Sequence, residues 1–175
     1  MAVALGQPLP DFELPSLQEP ERRFRLIDER GKIVVVLFWA ATCPMVRRYN
    51  RYLEGFADSY RSQGVRPLAV DSHLWDTPER LRFTLGRRLP RFPILIDRDG
   101  AVARQFGVEV TPTVYVADRN GVLRYWGAID DMSLEKHWPD VNYLEEAVDA
   151  LLLEQEVADP SNPPVGCELE LAVPA

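Results

Sequence analysis

The chain reads as an α/β protein with a central mixed sheet flanked by helices, and three observations carry that reading. The run Ile33-Val34-Val35-Val36-Leu37-Phe38 is continuously apolar and rich in β-branched residues, as in a strand covered on both faces of a parallel sheet. Strand-like and helix-like segments then alternate, β-α-β-α-β, as far as Ile96, which is the grammar of an α/β sheet. Beyond them, residues 113–117 and 122–126 flank Asp118-Arg119-Asn120-Gly121, a hairpin signal that adds antiparallel strands at the far side.

Taken in order, the first thirty residues carry Pro8, Pro10 and Pro15, then Phe24-Arg25-Leu26-Ile27 and a turn at Arg30-Gly31. They are expected to form an extended or hairpin extension laid over the core. After the central strand, Pro44 suits a first helical position, and Val46, Tyr49, Leu53, Phe56, Ala57 and Tyr60 recur at helical spacing. A strand is expected at 67–70, a helix with Leu81, Leu85 and Leu89 on one face, a strand at 92–96 and a short helix at 102–106. The final helix sets Val141, Leu144, Val148, Leu151 and Leu152 against Glu145, Glu146 and Asp149. The remainder of the chain is Pro-rich, so residues 1–157 are expected to form one domain and 158–175 an extended C-terminal tail carrying Cys167.

A chain of 175 residues buries roughly 70% of its unfolded surface on folding, enough for one core. With 46% hydrophobic and 27% charged residues, it has neither the composition of a disordered chain nor that of a membrane protein. The N-terminal stretch lacks a basic segment and a long apolar run, so a cytoplasmic protein without a membrane partner is expected. A net charge of −7 argues against nucleic acid as a partner, since phosphate neutralisation needs a basic face. Two cysteines and two histidines, widely scattered, are too few for a structural zinc site, and no metal or cofactor is expected. In a cytosolic-looking chain, two cysteines fit redox chemistry better than a stabilising scaffold.

Cys43 is the residue that points to chemistry. It stands where the apolar strand ends and the amphipathic helix begins, at or beside the N-cap. There the free amides of Met45 and Val46 and the positive end of the helix dipole can stabilise a thiolate. The competing reading is a buried, inert cysteine, a common fate for this residue. Arg47 and Arg48 on the first turn can favour the charged sulfur or simply be solvated, and the segment holds no Lys or His to act as a dedicated base.

The strand-loop-cysteine-helix unit, the later Thr111-Pro112 before a strand, the hairpin and the closing helix together resemble the thioredoxin-like fold. Leu9-Pro10-Asp11-Phe12-Glu13-Leu14-Pro15 and the string FWAATCP around Cys43 are similar to the redoxin, or AhpC/TSA peroxiredoxin-like, branch of that superfamily. A further likeness is to peroxiredoxin-like proteins with a CPxxxRY-type helix start, a Gly127-Ala128-Ile129-Asp130-Asp131 string and a Pro-rich tail carrying Gly166-Cys167. The resemblance implies that Cys43 is the nucleophile, that Pro112 is cis, and that the backbone of Thr111 can pair with an extended substrate. It implies that Trp39 shields the thiol, and it offers Cys167 as a resolving thiol, the alternative being an unremarkable thiol in a loose tail. Arg124, in Gly121-Val122-Leu123-Arg124, matches a string in which peroxiredoxins keep an arginine on the peroxide, although a solvated hairpin arginine reads the same way.

The chain also departs from the family pattern. The position three residues after Cys43, where a second cysteine usually stands, is Val46. The usual buried acid on the strand is replaced by Leu37, and the Pro and Thr that precede a peroxidatic cysteine are Val36 and Ala40. Asp71 and His73, after a strand end, are expected only as rim residues.

Together these readings give a thiol-dependent oxidoreductase acting on a protein disulfide or a small peroxide, recharged by a thiol electron donor. The alternative is a non-catalytic binding or redox-sensing module using the same groove. The enzymatic reading requires that the Cys43 sulfur be reachable from solvent and ionise more easily than an ordinary thiol.

Overall fold

The computed structural model describes residues 3–86 and 89–173. Its strands are β1 Glu13–Pro15, β2 Arg23–Arg25, β3 Ile33–Phe38, β4 Val65–Asp71, β5 Ile94–Ile96, β6 Val110–Thr111, β7 Thr113–Ala117, β8 Leu123–Gly127, β9 Ser161–Asn162 and β10 Cys167–Glu168. The helices are α1 Pro44–Tyr60, α2 Pro78–Leu85, α3 Ala101–Phe106 and α4 Tyr143–Leu152. One six-stranded sheet, in the order β5-β4-β3-β7-β8-β9, organises the molecule. β3, β4 and β5 run parallel, β7 and β8 return antiparallel, and β9 lies parallel to β8.

Every residue of β3 is buried, and the strand's period of two explains how one apolar run serves two cores. Ile33, Val35 and Leu37 face a cluster that contains Tyr49, Leu53 and Phe56 of α1 with Leu144, Ala147 and Val148 of α4. Val34, Val36 and Phe38 face the other, with Val102, Ala103 and Phe106 of α3 and Leu9, Phe12, Leu14 and Phe24 from the N-terminal segment. The N-terminal extension forms the antiparallel pair β1–β2, the hairpin alternative raised by its sequence.

Several boundaries differ from the sequence reading for local reasons. The second helix stops at Leu85, because Gly86 follows it with φ 59°, and so Leu89 lies beyond the helix; its neighbours 87 and 88 are outside the described residues. Thr77 starts that helix by accepting the Arg80 amide at 3.2 Å, as an N-cap threonine does. The strand expected from residue 92 begins at Ile94, since Pro93 has no amide to give to a ladder. Val141 precedes α4 rather than joining it, because Asn142 takes the N-cap and accepts the Glu145 amide at 3.0 Å.

The Pro-rich tail is extended, as its composition suggests, but it pairs with the sheet twice. β9 lies along the end of β8, and β10 runs antiparallel to β6. Gly127, at φ 133°, permits the first contact: a Cβ there would collide with the Asn162 carbonyl oxygen, which accepts the Ala128 amide at 2.9 Å. No helix among the described residues is long and apolar enough to cross a membrane.

Candidate active site

Cys43 is the N-cap of α1, with extended φ and ψ of −72° and 121°. Its carbonyl accepts the Arg47 amide at 3.1 Å, which starts the helix. The amides of Met45 and Val46 lie in the first turn, where a helix offers no internal acceptor, so they and the dipole favour negative charge at this sulfur. Cys43 is bonded to Cys167 in a disulfide that spans 124 positions, with the Cα atoms 5.9 Å apart. The Thr111–Pro112 peptide is cis, as the resemblance implied, and the Thr111 carbonyl oxygen lies 3.6 Å from Cys43 Sγ. A disulfide sulfur carries no proton, so this is a contact rather than a hydrogen bond.

The tail seats Cys167 by backbone pairing. Cys167 lies opposite Thr111 and Glu168 opposite Val110, and the Leu169 amide donates to the Glu109 carbonyl at 2.8 Å. Downstream, the Glu170 carbonyl accepts the Leu74 amide at 2.8 Å and its carboxylate accepts Trp75 Nε1 at 2.7 Å. The expectation of a solvent-reachable sulfur is therefore corrected for the disulfide form: Cys43 is 3% exposed beneath the tail, while Cys167 is half-buried.

Among the other candidates, Trp39 is 1% exposed and donates from Nε1 to Asn50 Oδ1 at 3.3 Å. It packs in the same apolar cluster as Cys43 and presents no surface to a substrate, so this tryptophan, expected beside the thiol, is a core residue and not a substrate-binding one. Arg124 pairs with Asp118 at 2.7 Å. Because Phe38 lies opposite Thr113 and Val34 opposite Ala117, that pair sits at the other end of the sheet, roughly 13 Å of strand from the cysteine. The solvated reading of Arg124 holds and the peroxide-polarising one does not. Arg47 is exposed, and Arg48 turns toward the Ser133 carbonyl at 3.2 Å and His137 Nδ1 at 3.0 Å, so neither guanidinium forms a hydrogen bond to the sulfur.

The sequence reading did not foresee a pair of buried acids. Asp71 and Asp76, 2% and 3% exposed, lie under the turn that delivers Cys43. Asp71 Oδ1 accepts the His73 amide at 3.1 Å, while its Oδ2 has no hydrogen-bond partner among the described residues; Asp76 Oδ2 faces the Thr42 amide at 3.4 Å. Burial first, then the neighbouring Asp76 carboxylate, hold the Asp71 carboxyl well above its ordinary range. Asp71 is thus not a rim residue. Leu37 leaves the usual acid position empty, and the end of the adjacent strand and the loop after it place two buried carboxyls near the turn before Cys43. The second missed feature is Asp130, whose Oδ1 accepts Tyr49 Oη at 2.6 Å and the Met132 amide at 2.9 Å. The motif on α1 and the motif after the hairpin are therefore two halves of one contact.

The profile of the AhpC/TSA family matches residues 5–126. The thiol-disulfide oxidoreductase ResA of Geobacillus thermodenitrificans is 36% identical over 128 residues, covering 70% of this chain and 68% of the relative. The thiol:disulfide interchange protein DsbE of Yersinia pestis is 31% identical over 130 residues, covering 74% and 66%. A conserved protein of Geobacillus kaustophilus superposes with a TM-score of 0.90 at 27% identity, over 98% of this chain and 94% of its own. With the cysteine pair, the helix start and the Thr-Pro edge assembled as described, the chain belongs to the AhpC/TSA family and is a thiol-dependent oxidoreductase of the thioredoxin-like fold.

Proposed function

We propose that the protein exchanges thiols with the disulfides of other proteins, with Cys43 as nucleophile and Cys167 as resolving thiol. The observation that carries this reading is the pairing of a helix-capping cysteine with a tail cysteine across the Val110–Thr111 edge. In the reduced protein the helix start favours the Cys43 thiolate. That thiolate attacks one sulfur of a substrate disulfide, forming a mixed disulfide and releasing the other substrate sulfur as a thiolate, which takes up a proton. The Cys167 thiolate then attacks Cys43 Sγ. The bond to the substrate breaks, two electrons have passed to the substrate, and the protein holds the Cys43–Cys167 bridge. A donor with two thiols restores the dithiol: the first attacks the bridge and forms a mixed disulfide with the protein, and the second displaces the protein sulfur, so that the donor leaves as a disulfide. Its first contact is with Cys167, the more exposed partner, and Cys43 departs as the better stabilised thiolate.

Disulfide exchange is favoured over peroxide reduction because Arg124, the cation offered for polarising a peroxide, is tied to Asp118 at the other end of the sheet. The test is turnover of a model protein disulfide and of hydrogen peroxide by wild type, Cys43→Ser and Cys167→Ser. Loss of disulfide turnover in Cys43→Ser, with a trapped mixed disulfide in Cys167→Ser, is expected. Peroxide turnover well above disulfide turnover, or activity untouched by Cys43→Ser, would overturn the proposal.

A further inference from the structure

The structure assigns the groove between Cys43 and the Val110–Thr111 edge as a sequence-selective peptide site, for which the protein's own residues 166–170 are a resident copy of the ligand. The inference rests on the exchange function above and deepens it, because it names the substrate segment: glycine, cysteine, any residue, a large aliphatic residue, then an acid. Each position is read from a contact that the tail makes.

At the first position, a Cβ on Gly166 would collide with the Thr111 carbonyl oxygen and stand 3.1 Å from Pro112 Cδ. Only glycine lets the strand come this close to the edge. The second position is the cysteine in register with Thr111, which delivers its sulfur to Cys43. The third, Glu168, is exposed, as the outward side chain of a paired strand should be, and it carries no selection. At the fourth, Leu169 is 8% exposed and joins the cluster that contains Phe106 and Val108. The fifth is held twice: the Glu170 carbonyl accepts the Leu74 amide, and its carboxylate accepts Trp75 Nε1. Trp75 is 55% exposed, a large apolar surface kept at the groove's mouth with its ring nitrogen committed to an acid.

These contacts use backbone pairing for affinity and alternate side chains for selection, the general logic of adding a strand to a sheet edge. The β10–β6 pairing is only two residues long. Once the disulfide is reduced, an external segment with the same pattern competes for the edge against a tether that acts as a local concentration of the tail.

The experiment uses full-length Cys167→Ser protein. Ellman's reagent loads Cys43: the thiolate attacks the reagent disulfide, a mixed disulfide forms on Cys43, and one coloured thiolate leaves. A peptide thiolate then attacks Cys43 Sγ, its sulfur bonds there, and the second coloured thiolate departs and is timed by absorbance. Blocked peptides Gly-Cys-Glu-Leu-Glu, Ala-Cys-Glu-Leu-Glu, Gly-Cys-Glu-Ala-Glu and Gly-Cys-Glu-Leu-Gln are compared with free cysteine. The first is expected to react about tenfold faster than the Leu-to-Ala peptide, in keeping with the apolar area that a leucine buries, and faster than the other two.

Adding Leu169→Ala to the tail should speed capture of the first peptide, whereas the same change in the peptide slows it. A second tail variant, Glu170→Gln, should act in the same direction and leaves Leu169 in place. Equal rates for all four peptides, relative to free cysteine, would overturn the selectivity while leaving the exchange function intact. Failure of Cys43 to load at all would overturn both.

Discussion

Breaking the Cys43–Cys167 bridge should cost the protein a large share of its stability, and the size depends on where the bridge lies in the chain. It spans 124 positions, which joins the tail to the start of α1 and encloses most of the sheet. In the loop-entropy account, cross-linking over that length removes about 5 kcal/mol of conformational freedom from the unfolded chain. For a chain of this size each kcal/mol moves the melting temperature by about 2–4 °C, so reduction should lower it by about 10–20 °C. The assay is thermal unfolding of the oxidised protein, of the same protein with a reductant, and of Cys167→Ser. The last two should coincide, because both lose the cross-link and neither empties a core position, Cys167 being half-buried. If oxidised wild type and Cys167→Ser melt within about 3 °C of each other, a difference near 1 kcal/mol, the bridge does not close this loop in the folded protein and the role given to Cys167 fails with it.

Reduced protein should lose Cys43 to iodoacetamide with a midpoint below the ordinary thiol value of about 8.5, and oxidised protein should not react; a midpoint at or above that value, measured by mass spectrometry, removes the helix-start argument. Asp71→Asn should raise stability at neutral pH. The folded state holds the Asp71 proton more tightly than the unfolded chain does, so wild type is favoured below the ordinary carboxyl value of about 4 and loses that advantage as pH rises toward the raised value. The gap between Asp71→Asn and wild type in denaturant midpoint should therefore widen from pH 4 to pH 8, and a gap independent of pH would refute it. Tyr49→Phe removes the hydroxyl that donates to Asp130 at 2.6 Å and should cost about 1–3 kcal/mol, read by urea denaturation; no loss would mean that the contact between the two motifs carries no stability.

The apolar run of β3, the spacing on α1 and the hairpin signal were legible because each is a local pattern of one short segment, and the structure places Cys43 at the N-cap where Pro44 and the strand end pointed. The cis peptide at Pro112 was legible only through the family resemblance, since a proline before a strand is ordinarily trans. Asp71 and Asp76 were not legible as a pair beside the Cys43 turn, because nothing within 71–76 shows that Thr42 lies against Asp76; that contact exists because β4 is parallel to β3 and ends beside it. Arg124 failed as a peroxide contact for the same reason, its distance from the cysteine being set by the length of β7 rather than by any spacing in sequence.

By itself the amino-acid sequence determined the class of fold, the strand that forms its centre and the residue at which chemistry begins, because hydrophobic period and helix capping act over a few neighbouring positions. Only the tertiary structure decided that the tail covers that residue. Gly127 and Gly166 stand in the sequence as members of two motif strings, and the physical need for a glycine appears only where Asn162 and Thr111 approach from elsewhere in the chain, closer than any side chain would allow.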